Sequence, residues 1–134
     1  MIKMTKQLSV FLENRPGALT KICGILAQAK INVVALSVHD TVDHAIVRLV
    51  VDRHIKALIL LEQEGLYLLE QNVLLVSLDN HPGGLAHLTQ KLARADINIE
   101  YAYCTAMEQQ GEGCIVLKTD EPEKTLELLR EGPE

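Results

Sequence analysis

The sequence predicts an α+β fold made of two successive βαββαβ units, each an antiparallel sheet with its helices on one face. Three observations carry that prediction. The stretch Glu13-Asn14-Arg15-Pro16-Gly17-Ala18-Leu19 returns, after a shift of 66, as Asp79-Asn80-His81-Pro82-Gly83-Gly84-Leu85. The same shift sets Leu26 on Leu92, Ala27 on Ala93, Ala29 on Ala95, Ile31 on Ile97 and Asn32 on Asn98. Past a longer turn in the second copy (Glu108 to Gly113) the shift becomes 68, and Lys56-Ala57-Leu58 meets Lys124-Thr125-Leu126. Identities that fall on turn residues and apolar positions together mark a duplication.

Each element follows from its hydrophobic period. Leu8, Val10 and Leu12 alternate with Ser9, Phe11 and Glu13, a strand with one buried face, and Leu74, Val76 and Leu78 repeat it. Met1 to Gln7 is polar and leads into that first strand. Leu19, Ile22, Leu26 and Ala29 then recur at helical spacing, as do Leu85, Leu88, Leu92 and Ala95. Ile31 to Val38 and His44 to Val51 are β-rich runs joined by a polar turn around Asp40 to Asp43. A second helix covers Ile55 to Glu64 with Leu58 and Leu61 inward; Gly65 ends it, and Leu66 to Glu70 make a fourth strand. This is the order of the ferredoxin-like sandwich, with units at 1–71 and 72–134 expected side by side.

Two asymmetries stand out. The second copy runs into Arg130-Glu131-Gly132-Pro133-Glu134 with its last strand missing, so its sheet is one strand short unless a neighbouring segment supplies it. The first copy's second helix (Ile55, Leu58, Ile59, Leu60, Leu61) is apolar nearly all round, whereas Glu127 stands where Ile59 does; an extra contact is expected on that helix. A unit of about 65 residues buries a marginal core, so a sheet face or edge is expected to be covered by the sister unit or another chain.

Composition excludes several functions. In 134 residues, 48% apolar content suffices for a core, and a net charge of −5 argues against nucleic-acid or anionic-membrane partners. No signal-type segment or long apolar run is present, so the cytoplasm is the expected location. Cys23, Cys104 and Cys114 include no Cys-x-x-Cys pair and read as small buried hydrophobes rather than as a disulfide or zinc framework.

The repeated loop carries the binding chemistry. An acidic residue and Asn end a strand, Pro suits the first turn of a helix, and Gly permits unusual backbone angles and close approach. The N–H groups around Gly17, Ala18 and Leu19, and around Gly83, Gly84 and Leu85, then face outward at the positive end of a helix, where a carboxylate or phosphate is attracted. Asn14 and Asn80 can serve both ends of a zwitterion, since an amide both donates and accepts, or can simply satisfy the loop. Arg15 and His81 share one loop position and could pair with a carboxylate, although that position faces solvent in a tight turn. His39-Asp40 and Asp43-His44 flank one turn, but their spacing matches no metal motif, and no metal or cofactor is expected. No nucleophile–base or phosphate-loop constellation appears, so no catalysis is expected. RNA-recognition domains share the βαββαβ order but need aromatic sheet positions and a basic face, of which Tyr101 and Tyr103 are the sole hint.

The pattern strand–[Glu/Asp]-Asn-x-Pro-Gly-x-Leu–helix–Ile-Asn–strand resembles the ACT domain, a small-molecule regulatory module of amino-acid metabolism, and the whole chain looks like a stand-alone tandem of it. Glu13-Asn14-Arg15-Pro16-Gly17 with Ile31-Asn32 looks especially like the serine-binding regulatory domain of 3-phosphoglycerate dehydrogenase. The resemblance implies a non-catalytic regulator that binds a small amino acid or related carboxylate between the first loop of one unit and the second-strand region of another. It implies a homodimer, an enzyme partner, and ligand roles for Asn14 and Asn32 in one site and Asn80 and Asn98 in the other. The serine-binding members carry a His two residues before the loop Asn; here that position is Leu12 or Leu78, which points to a more apolar ligand. The alternative reading is a ligand-free interaction module serving as the regulatory subunit of a metabolic enzyme.

Overall fold

The computed structural model of the chain describes residues 2–79, 81–105 and 112–131. Its elements are β1 (Ile2–Glu13), α1 (Ala18–Gln28), β2 (Val33–Asp40), β3 (His44–Val51), α2 (His54–Gln63), β4 (Tyr67–Asp79), α3 (Gly84–Arg94), β5 (Ile99–Cys104), β6 (Glu112–Thr119) and α4 (Pro122–Arg130). The longer turn expected before Gly113 and the end of the chain past Glu131 lie outside the described residues.

The chain forms two compact units, Lys6–Gln71 and Met1–Thr5 with Asn72–Glu134. In the first the strand order is β2-β3-β1-β4, the ferredoxin-like arrangement. Register follows the alternation read from sequence: Leu8, Val10 and Leu12 lie opposite Leu49, Val47 and Ala45 on the helix-covered face. These side chains close over Ile22 and Leu26 of α1 and Ala57 and Leu61 of α2. Gln7 and Ser9, one residue out of phase, point to the other face, where Gln7 Nε2 donates to Ser9 Oγ (3.0 Å) and Ser9 Oγ to Gln71 Oε1 (3.2 Å). Both are buried, and their mutual bonds keep them from being orphaned polar groups.

The second unit repeats this with one substitution of origin. Its strand order is β1-β4-β6-β5, so the beginning of β1 occupies the place a fourth strand would take. Ile2 packs against the cluster of Leu74, Val76, Leu88, Leu92, Ile115 and Leu117, and Arg130 Nη2 donates to Ile2 O at 3.3 Å. The missing strand is therefore supplied from the N-terminal segment, and β1 starts at Ile2 rather than near Leu8. Likewise the strands expected at Leu66 to Glu70 and at Leu74 to Leu78 are one, since Tyr67 to Glu70 and Leu74 to Leu78 both belong to the single strand β4.

The duplicated positions have visible causes. Lys56 Nζ of α2 donates to Ala29 O at the end of α1, and Lys124 Nζ of α4 does the same to Ala95 O, both at 3.1 Å; each lysine satisfies a terminal helix carbonyl. Where the first unit packs Val51 near Ala57, the second has Thr119 and Thr125, fully buried with hydroxyls 2.8 Å apart. Lys30 and Asp96 follow α1 and α3 at φ 59° and 62°. Left-handed backbone costs a non-glycine residue about 1 kcal/mol, so Lys30→Gly and Asp96→Gly should each raise the unfolding free energy by up to about 1 kcal/mol in urea titrations.

Two expectations need correction. Cys23 and Cys104 are exposed and Cys114 only half-buried, not core residues. Cys23 falls next to Ile22 on the outer side of α1, and Cys104 sits on edge strand β5. Burial raises the Cys114 thiol pKa above the ordinary range. Leu85, in the first turn of α3, lies outside the core cluster that begins at Leu88 and is 53% exposed. On α2, Ala57 and Leu61 are buried and Leu58 packs against the same core, while Ile55 and Ile59, 63% and 50% exposed, form an apolar outer ridge.

Candidate functional site

The β1–α1 connection is short because Gly17 takes φ +88° at the N-cap position, an angle that disfavours any side chain. Arg15 N–H donates to Glu13 O (3.0 Å), Ala18 N–H to Arg15 O (3.3 Å) and Lys21 N–H to Gly17 O (3.1 Å). That leaves the Leu19 and Thr20 N–H groups without a helical carbonyl partner. No acidic residue lies in the first turn and no side chain caps the helix, so its positive end is not neutralised from within. The second loop has the same construction: Gly83 at φ +94°, Gly84 N–H to His81 O (3.2 Å) and His87 N–H to Gly83 O (2.9 Å), again with no acidic residue in the first turn. His81 is exposed, with Nδ1 2.8 Å from Pro82 O. Asn80 lies outside the described residues.

Asn14 does not cap the helix. Its Nδ2 donates to Asp40 Oδ1 and to Thr41 O (3.4 Å), and its backbone N–H to Asp43 O (3.4 Å). The β2–β3 turn is in turn closed by Thr41 Oγ1 donating to His44 O at 2.7 Å. The loop Asn thus ties the β1–α1 loop to the β2–β3 turn, and His39, Asp40, Asp43 and His44 serve that turn. Among the described residues no three His, Cys, Asp or Glu side chains gather to hold a metal ion.

Asn32 and Asn98 stand elsewhere. Asn32 N–H donates to Asp52 Oδ1 (3.0 Å) and Asp52 N–H returns to Asn32 O (3.1 Å); Asn98 and Asp120 make the same exchange, both at 3.1 Å. Glu13 pairs with His44 at the start of β3, whereas Asp52 follows its end. Eight residues of strand separate the two ends by about 27 Å. Asn14 and Asn32 of one unit therefore cannot touch one small ligand.

Beside the first loop, within unit Lys6–Gln71, opens a cleft of about 410 Å³. Leu12, Ala18, Ile22 and Leu66 give it an apolar floor, and Glu13, Arg15, Lys21 and His44 place charge or polarity at its rim. Phe11 and Tyr67 line one side with ring centroids 5.3 Å apart. Of the residues picked out by the repeat, Arg15 and Ala18 reach this cleft; Pro16, Gly17 and Leu19 shape the loop beside it. Lys21, His44, Gly65 and Tyr67 were not legible as cleft residues, because they come from the helix body, β3, the α2–β4 connection and the start of β4, where no spacing rule applies. Pairing the lone Phe with an isolated Tyr across antiparallel strands was the one available signal. Tyr101 and Tyr103 lie on the face of β5 opposite Lys118 and Val116, away from the second unit's helices, with centroids 6.4 Å apart.

Known proteins match this architecture. A family model described as an ACT domain pair matches residues 3–132. A solved structure from Bacteroides thetaiotaomicron is similar at 32% identity and TM-score 0.90, over 97% of this chain and 89% of that one. The ligand-free regulatory subunit of aspartate kinase from Thermus thermophilus shares the fold at 18% identity and TM-score 0.72, over 99% of this chain and 97% of that one. The corresponding subunit from Thermus flavus does so at 19% and 0.67, over 95% and 90%. No curated protein matches. Among the described residues, no helix is long and apolar enough to cross a membrane. The match along nearly the whole chain, on a fold with two equivalent loop-and-helix starts, makes this protein a member of the ACT domain pair family.

Proposed function

We propose that this chain is a non-catalytic, amino-acid-sensing regulatory protein of the cytoplasm, acting as a homodimer on an enzyme of amino-acid metabolism. The observation that supports this reading best is the pair of glycine-shaped loops at Gly17 and Gly83, each opening a helix with no acid in its first turn. A carboxylate suits such an end. The placement of Asn14 and Asn32 at opposite ends of β3 supports a ligand held by the loop of one unit and the α1–β2 Asn of another. A ligand that joins two units stabilises one arrangement of them, and the partner reads the population shift. The fold shared with regulatory subunits of aspartate kinase supports an enzyme partner of this general kind.

One observation favours a second reading. Asn14 already has protein partners in Asp40 and Thr41, as it would in an interaction module that binds no effector. Thermal-shift measurements against the twenty amino acids decide between the two. A ligand at 100 times its Kd stabilises by about 2.7 kcal/mol, so one or a few amino acids should raise Tm clearly. Asn14→Ala should cancel that response while costing about 1 kcal/mol of stability at most. No response to any amino acid, with stable capture of a metabolic enzyme, would overturn the sensing role in favour of the interaction module.

A further inference from the structure

The cleft beside the first loop has a chemistry of its own. Its volume of about 410 Å³ falls within the roughly 300–1,000 Å³ typical of small-molecule sites. Two cations, Arg15 and Lys21, stand at its rim against one lining carboxylate, Glu13. Arg15 Nε lies 3.0 Å from Glu13 Oε1 and Lys21 Nζ 3.3 Å from Glu64 Oε1, but all four side chains are well exposed. Such pairs hold weakly in water and yield to a competing anion. The floor beneath them is aliphatic, with Leu12 and Ile22 nearly fully buried.

We propose that this cleft is a specificity pocket for an α-amino acid with a branched aliphatic side chain. The ligand carboxylate displaces Glu64 from Lys21 and lies beside the first turn of α1. The side chain rests on Leu12, Ile22 and Leu66, and the ammonium meets Glu13. Serine would leave the apolar floor uncovered and a purely apolar ligand would leave Lys21 without an anion, so the site selects for both ends at once. This rests on the effector-sensing reading and adds where the first unit discriminates.

The test is calorimetric titration of the full chain with L-leucine, L-serine, L-leucinamide and 4-methylpentanoate. L-Leucine should bind at least tenfold more tightly than L-serine, than leucinamide, which lacks the carboxylate, and than 4-methylpentanoate, which lacks the ammonium. Lys21→Gln, on an exposed side chain, should weaken L-leucine at least tenfold with an unchanged circular dichroism spectrum. Glu64→Gln removes the competing carboxylate and should tighten L-leucine severalfold, a gain that a merely structural lysine would not produce. Binding of L-serine or another polar amino acid that Lys21→Gln leaves unchanged and Asn14→Ala abolishes would overturn the pocket and leave the sensing role standing. Absence of binding by all twenty amino acids would overturn both.

Discussion

Deleting residues 1–5 should lower the unfolding free energy of unit 72–134 by more than about 3 kcal/mol and leave unit 6–71 folded. The deleted segment is the fourth strand of that unit by position, although it lies at the other end of the sequence. Each ladder hydrogen bond lost costs about 1 kcal/mol. Loss of Ile2 from the cluster around Leu74 and Ile115 adds about 1 kcal/mol more. The exposed edge of β4 would also be free to pair with other chains. Urea unfolding followed by amide exchange should split into two transitions, with Leu92 and Leu117 amides losing protection before those of Leu26 and Leu49. A single transition at an unchanged midpoint would show that the segment carries no structural load.

Leu49→Ala should destabilise unit 6–71 by about 3 kcal/mol, within the 2–5 kcal/mol range for truncating a buried leucine. Leu49 is 1% exposed at the centre of β3, opposite Leu8 on one side and Leu36 on the other. The cavity it leaves is walled by β1, β3 and the two helices, none of which can collapse without breaking register. Ile59→Ala on the outer ridge of α2 should change stability by less than about 0.5 kcal/mol. Denaturant midpoints for the pair separate core from surface, and equal effects would contradict the placement of the core.

The duplication made most of the fold legible. Turn residues and apolar periods recurred together, so strands opposite Leu8, Val10 and Leu12 and helices over them followed from local rules. The source of the second unit's fourth strand did not. Ile2 and Met4 alternate with Lys3 and Thr5 over too few residues to name a partner, and pairing between distant segments leaves no local trace. The exchange of Val51 and Ala57 for the hydrogen-bonded pair Thr119 and Thr125 was hidden for the same reason: each Thr alone reads as surface, and only their contact explains burial. Residue type also misled for the cysteines, because an apolar preference does not say which side of α1 or β5 a position faces.

At the site, the repeat located the loops and the glycines whose positive φ shapes them. It could not show that Asn14 spends its amide on Asp40 and Thr41, or that Asn32 stands at the far end of β3. Both are matters of where β2 and β3 run. Leu12, two residues before the loop Asn, lines the cleft beside that loop.

The central claim is that a small carboxylate binds at the start of α1, and amide hydrogen exchange tests it most directly. Leu19 and Thr20 carry N–H groups with no helical acceptor, so they should exchange quickly in the free protein. With saturating L-leucine the account predicts slowed exchange at Leu19 and Thr20 and at the β2–β3 turn that Asn14 holds. Unchanged exchange at those amides, with L-leucine bound or with no amino acid binding at all, would contradict it.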